Sequence, residues 1–181
     1  MNYEKLAIPD VVLMTPKVFG DERGFFLETF RHSEFAEHCG DHAFVQDNHS
    51  KSGQGILRGL HYQLEKPQGK LVRVTRGEVY DVAVDLRRSS PTFGQWVGAL
   101  LNEDNRQMLW VPPGFAHGFY VTSDEAEFQY KCSDYYNPGD EYSLHWQDPA
   151  LAIDWPLVGP RPLTSDKDER GASLAETPTF A

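Results

Sequence analysis

From Gly69 onward, short runs of strand-forming residues alternate with turn residues at close intervals, and this punctuation is what most restricts the fold. Lys70 to Arg76 is closed by Gly77. Tyr80, Val82, Val84 and Leu86 then alternate toward a core, with Asp81, Ala83 and Asp85 facing away. Pro91 and Gly94 lead into Trp96 to Leu101, and the polar turn 102–105 precedes a strand at Met108 to Val111. Pro112-Pro113-Gly114 makes a corner before strands at His117 to Val121 and Glu127 to Cys132, and Asn137-Pro138-Gly139-Asp140 turns into Tyr142 to Trp146. So many short strands with turn residues between them predict an all-β sandwich or barrel. No repeat, charge block or linker divides residues 1–181, so a single domain is expected.

The first fifty residues add strands at Val11 to Met14 and Phe25 to Phe30, and a helix capped by Ser33 that runs through His38 and ends at Gly40. Phe26, Glu28 and Phe30 share one face of the second strand. That face fits either an edge strand with an exposed carboxylate or a surface for a planar ligand with N–H donors. Phe44 to Ser50 reads as another strand, with Gln46, Asn48 and Ser50 on one side as a solvated row or a pocket lining. Ser165 is placed to cap a last helical turn, and residues 171–181 carry no packing pattern, so they are expected to be loose or docked on a neighbour.

The formal charge of -10 argues against nucleic acid or an anionic membrane as partner, although clustered cations in a cleft still suit a small anion. Cys39 and Cys132 are too few for a disulfide framework. With no signal pattern at the start and no apolar run of membrane-spanning length, the expectation is a soluble protein of the cytoplasm.

Chemistry concentrates in Leu57-Arg58-Gly59-Leu60-His61-Tyr62-Gln63, followed by Gln68-Gly69-Lys70. Strict alternation puts Arg58 and His61 on opposite faces, and Gly59 is where a bulge would bring them to one cavity. Such a cavity could bind a phosphate and remove a proton from carbon.

Pro112-Pro113-Gly114-Phe115-Ala116-His117 has the Pro-x-Gly-x-x-His spacing of the second cupin motif. The first-motif region offers His61-Tyr62-Gln63, which lacks the second histidine of a His-x-His pair. His61 and His117 alone would leave a divalent metal short of ligands, so no metal is expected.

The resemblance extends further. Asp21 to Glu28, Gln46-Asp47-Asn48, Arg58 to His61, Gly69-Lys70, Gly114 to Phe119, Glu127 to Lys131, Tyr135-Tyr136 and Ser165 to Asp168 together resemble the dTDP-4-dehydrorhamnose 3,5-epimerase family, in family order from about Val11 to Asp168. That resemblance implies a cupin or jelly-roll β-barrel with a few short helices. It also implies a homodimer in which strands from residues 1–50 are exchanged. The implied substrate is dTDP-4-dehydro-6-deoxy-D-glucose, the product dTDP-4-dehydro-L-rhamnose, and the cofactor none.

Carbons 3 and 5 of that sugar flank a ketone, so the reaction needs a base, an enolate stabiliser and an acid. His61 suits the base, since imidazole titrates near neutrality, and Lys70 suits the developing oxyanion. The resemblance supplies Asp168 as the partner of His61 and Tyr130 as the acid on the other ring face, although the residue pattern by itself favours a half-buried barrel tyrosine there. Arg23 and Arg58 suit the pyrophosphate. By resemblance, Phe26 and Tyr136 lie against thymine and deoxyribose, Glu28, Gln46 and Asn48 are polar readers, and His117, Glu141 and Lys167 match binding positions. Trp146 suits a sugar-pocket wall or a core. The alternatives are an epimerase that inverts one carbon of another dTDP-keto-sugar, a metal-dependent cupin, and a nucleotide-sugar-binding cupin without catalysis.

Overall fold

Each turn residue of the central region separates two strands in the computed structural model, which describes residues 1–181. Gly77 shows why. Its φ is +72°, and a Cβ there would lie 1.8 Å from the Glu125 carbonyl oxygen, so the chain turns at the one residue type that fits.

Six strands form one sheet: β1 (Asn2–Lys5), β2 (Val12–Thr15), β5 (Gln46–Gly53), β7 (Lys70–Arg76), β10 (Met108–Val111) and β12 (Glu125–Cys132). Their spatial order is β1-β2-β10-β7-β12-β5, which leaves β5 at an edge. Five others form the facing sheet: β6 (Leu57–Gln63), β8 (Glu78–Asp85), β9 (Trp96–Asn102), β11 (Phe115–Val121) and β13 (Glu141–Ser143), in the order β13-β6-β11-β8-β9. The fold is all-β, as expected, and takes the form of two facing sheets with separate hydrogen-bonded ladders rather than one closed barrel. A hairpin of β3 (Val18–Asp21) and β4 (Gly24–Leu27) forms a third, two-stranded sheet of its own.

Val72, Leu109 and Phe128 of the larger sheet pack against Ala83, Phe115 and Phe119 of the smaller one to form the central core. Outside the larger sheet, the helix α1 (His32–Cys39) seats the fully buried Phe35 edge-on against Trp110, 5.0 Å between ring centroids. Burying such a side chain contributes about 1.5–3 kcal/mol. Outside the smaller sheet, Trp146, Leu151 and Trp155 cover Leu57, Val82 and Leu86.

Because both faces of β8 are covered, the alternation expected there is overruled: Asp81, Ala83 and Asp85 are as buried as Val82 and Val84. Asp85 is held by Arg87, Ser90 and Thr92. The helix α1 starts one residue before Ser33, from Arg31, without a side-chain cap, and ends as expected at Gly40. The strand expected from Phe25 to Phe30 stops at Leu27, since Phe30 turns in against Phe35 and Phe44. Trp146, expected as pocket wall or core, is core. Residues 171–181 are not loose: Thr177 is buried with its hydroxyl 2.6 Å from the Tyr62 hydroxyl, and Phe180 bridges to Arg87. No helix is long and apolar enough to cross a membrane.

Candidate active site

The bulge foreseen at Gly59 is present. His61 lies opposite His117 and Arg58 opposite Phe119, so three steps along β6 span two along β11. Gly59 has φ +136°, and a Cβ on it would come within 2.5 Å of the Gly118 Cα. Two glycines facing each other let the strands cross this closely. The extra residue reverses the alternation, so Arg58 and His61 both line a cavity of about 380 Å³ between the sheets.

Within it, His61 Nε2 lies 2.5 Å from Asp168 Oδ1. With Nε2–H donating to the carboxylate, Nδ1 is left to accept a proton. Asp168 is buried at the end of the smaller sheet on α2 (Asp166–Glu169). Burial would raise its pKa, but hydrogen bonds from His61 and Ser165 outweigh that and hold it below the usual carboxylate range. His117 Nε2 donates to both oxygens of the fully buried Asp81, at 2.9 and 3.0 Å. Burial lifts the Asp81 carboxyl above its ordinary range, with His117 opposing.

The larger sheet supplies the opposite wall. Tyr130 enters from β12, next to Asn48 on β5, and Lys70 from the start of β7. Neither the Tyr130 hydroxyl nor the Lys70 ammonium has a hydrogen bond within the chain, so both are free for a ligand. Burial pushes the Tyr130 phenol up and so keeps its proton; it pushes the Lys70 ammonium down.

At the rim, Glu141 Oε1 accepts from Lys167 Nζ at 2.8 Å and Glu141 Oε2 from the Tyr136 hydroxyl at 3.0 Å. Burial would raise Glu141, but Lys167 outweighs it and keeps the carboxyl low. Gln46 Oε1 accepts the Tyr136 backbone N–H at 2.9 Å, and Gln46 Nε2 donates to Asn48 Oδ1 at 3.2 Å. Arg58 Nε donates to the Ser52 hydroxyl at 3.0 Å, which leaves its terminal nitrogens toward the cavity. The site therefore combines a carboxylate-backed imidazole on one wall, a protonated phenol on the other, and cations for a charged ligand.

The family model described as dTDP-4-dehydrorhamnose 3,5-epimerase matches residues 5–176. The chain belongs to the dTDP-4-dehydrorhamnose 3,5-epimerase family. The family's enzyme from Pseudomonas aeruginosa is 56% identical over 181 residues, 99% of each chain. A crystal structure of the dTDP-6-deoxy-D-glucose-3,5-epimerase from Legionella pneumophila in complex with dTDP-4-keto-L-rhamnose superposes with TM-score 0.94 at 53% identity, covering 97% of this chain and 93% of that one. A 3'-monoepimerase of Streptomyces bikiniensis, in complex with dTDP-quinovose, superposes with TM-score 0.87 at 36% identity, covering 94% and 86%.

Three expected binding residues of this epimerase-family chain lie apart from the cavity. Arg23, Phe26 and Glu28 sit on or beside the β3–β4 hairpin, which has its own shallow clefts. There Arg23 pairs with Asp21, Glu28 pairs with Arg31, and Phe26 is 70% exposed. The other expected residues, His61, Tyr130, Asp168, Lys70, Gln46, Asn48, Arg58, His117, Tyr136, Glu141 and Lys167, share one cavity. The sequence reading missed Gln68, Phe119, Phe128 and Ser165 in the cavity lining, and Asp81 behind His117. Asp81 was assigned to the outer face by alternation, and Ser165 was read only as a helix cap. The Ser-x-x-Asp spacing before Asp168 was the available signal for Ser165.

Proposed function

We propose that this isomerase converts dTDP-4-dehydro-6-deoxy-D-glucose to dTDP-4-dehydro-L-rhamnose by moving protons at carbons 3 and 5. The observation that carries the reading is the approach of His61 and Tyr130 to one cavity from opposite sheets, with the unpaired Lys70 ammonium in the same space. His61 removes the proton alpha to the ketone, and the electron pair passes into the carbonyl to give an enolate at the carbon-4 oxygen. Asp168 steadies the imidazolium, and Lys70 holds the oxyanion, a contribution of about 3–4 kcal/mol by comparison with one oxyanion-hole donor. Tyr130 returns a proton from the opposite face, which inverts the centre. Each cycle moves protons only and consumes no oxidant or reductant.

The nucleotide end of the site is shared between two copies. The β3–β4 hairpin pairs with no other strand and exposes Phe19, Phe25 and Phe26, while β5 presents an open edge beside the cavity. An aromatic hairpin and a free strand edge are what a domain-exchanged dimer pairs off. Joining the hairpin of one copy to β5 of the other would bring Arg23, Phe26 and Glu28 toward Gln46, Asn48 and Tyr136. Both cysteines are free thiols, which suits a reducing cytoplasm.

Proton NMR of the keto-sugar with enzyme in deuterated water tests the reaction. Deuterium at carbons 3 and 5 with formation of the L-sugar is expected. Exchange and inversion at carbon 3 alone would assign it instead to the single-centre chemistry named for its Streptomyces bikiniensis relative.

A further inference from the structure

The catalytic carboxylate is held by the same residue that starts its helix. Ser165 Oγ donates to Asp168 Oδ2 at 2.7 Å, and the Asp168 N–H donates back to Ser165 Oγ at 3.3 Å. The Ser165 N–H reaches the same Oδ2 at 3.4 Å, which completes a capping box. A hydroxyl has one proton to give and lone pairs to accept, so it serves both contacts at once. The other oxygen, Oδ1, takes His61 Nε2 at 2.5 Å and the Gly59 N–H at 3.4 Å. The two carboxylate oxygens thus have separate tasks: one faces the imidazole, the other is tied to Ser165.

We propose that Ser165 is a positioning residue of the reaction, whose hydroxyl fixes the rotation of the Asp168 carboxylate and through it the orientation of His61. A carboxylate turns freely about its last bond unless both oxygens are engaged. Without the hydroxyl, Oδ2 keeps only the longer 3.4 Å bond from the Ser165 N–H, so Asp168 gains rotational freedom and the bond that orients the imidazole loses its direction. Cap and orienter are coupled because α2 is a four-residue helix with Asp168 at its third position. The helix start and the position of the carboxylate are one geometry. The inference rests on the assignment of His61 as base.

Three variants of the full-length protein separate a positioning role from a cap. Ser165→Ala removes both functions, and kcat is expected to fall about 10- to 100-fold at unchanged KM, the range for outer hydrogen-bond partners of a site. Ser165→Thr keeps a hydroxyl and recovers most of that loss. Ser165→Asp restores the cap, because its carboxylate accepts the Asp168 N–H, but it has no proton to donate to Oδ2. It should recover part of the thermal midpoint, less the repulsion between the two carboxylates, without recovering kcat. A fourth measurement needs no substrate: the downfield proton resonance of the His61 ring N–H bound to Asp168 should move in the Ala and Asp variants and hold in Thr. Full kcat in Ser165→Ala, full recovery by Asp, or a defect in KM alone would each overturn the proposal. If the wild-type protein leaves the keto-sugar unchanged, the functional reading fails, and the ring proton alone then decides whether Ser165 orients the pair.

Discussion

The two places where the expected site residues lie are held in opposite ways. Around His61 the bonds are long-range: Asp168 is 107 residues away in sequence, and His117 and Asp81 are 36 apart. They join different strands and a helix, and the groups are largely buried. On the β3–β4 hairpin the ion pairs are local, Arg23 with Asp21 and Arg31 with Glu28, and they lie in solvent. Exposed pairs of this kind contribute little and reorganise at small cost. Proton chemistry requires preorganised groups, and one chain supplies them. Under the proposed function, the hairpin residues that would read the nucleotide are free to pair elsewhere, which is what a site completed by a second copy would use.

If that division is right, substitutions in the cavity change kcat and substitutions on the hairpin change KM. The largest expected effect is that of His61→Ala, about a 10⁴-fold loss of turnover, the upper end for a general base, with dTDP affinity retained by calorimetry. Appreciable turnover in that variant would remove His61 from its role. Lys70→Met should follow with about 10²–10³-fold in kcat, since the enolate would form without its counter-charge. Tyr130→Phe is expected to cost about 10²-fold in net inversion while deuterium still enters carbon 5, because the base remains and only the opposite-face donor is gone. Inversion at the wild-type rate would mean that another group returns the proton.

Phe26→Ala tests the other half of the comparison. A tenfold rise in KM, about 1.4 kcal/mol, is expected for the nucleotide-sugar with kcat nearly constant. Mixing Phe26→Ala with His61→Ala sharpens this. If each hairpin serves the other copy's cavity, mixed dimers contain one cavity with both defects and one with neither, and activity returns on mixing. No gain on mixing inactive and weakened subunits, with exchange verified by mass, would place Phe26 in its own chain's site.

Much of this arrangement was legible in the amino-acid order. The Gly59 bulge followed from a glycine between two residues that chemistry wanted on one face, and the strands from Gly69 to Cys132 followed from turn residues. Asp168 could not be paired with His61 from spacing, since 107 residues and an entire sheet intervene; only the family resemblance joined them. Asp81 was misplaced because alternation assumes that one face of a strand meets solvent, and β8 is covered on both. The Phe25 to Phe30 run read as one strand because every residue in it tolerates extension. Its end at Leu27 is set by Phe30 packing under α1, a tertiary contact that local propensity does not encode.

The smallest expected effect on catalysis belongs to a carboxylate on the same strand as Asp81. Asp81 and Asp85 are both fully buried on β8, yet their acidities move in opposite directions. Burial dominates at Asp81, against the opposing pull of the His117 imidazole and the nearby Lys70 ammonium. At Asp85 burial is outweighed by Arg87, Ser90 and Thr92, which hold the carboxyl at about 2. A carboxyl depressed from 3.8 to about 2 stabilises the fold by on the order of 2 kcal/mol above its unfolded value, and that stabilisation disappears as pH falls from about 4 to 2. Asp81 has the reverse sign: its raised value means that the native state holds the proton more tightly, so its charge opposes folding at neutral pH and that cost is relieved on acidification. Asp85→Asn is therefore expected to lower stability by on the order of 2 kcal/mol at pH 7, with kcat unchanged. Denaturant titrations of wild type and variant should converge as pH drops through the window between 4 and 2. A gap that persists at pH 2 would show that Asp85 acts through the shape of its hydrogen bonds and not through its charge.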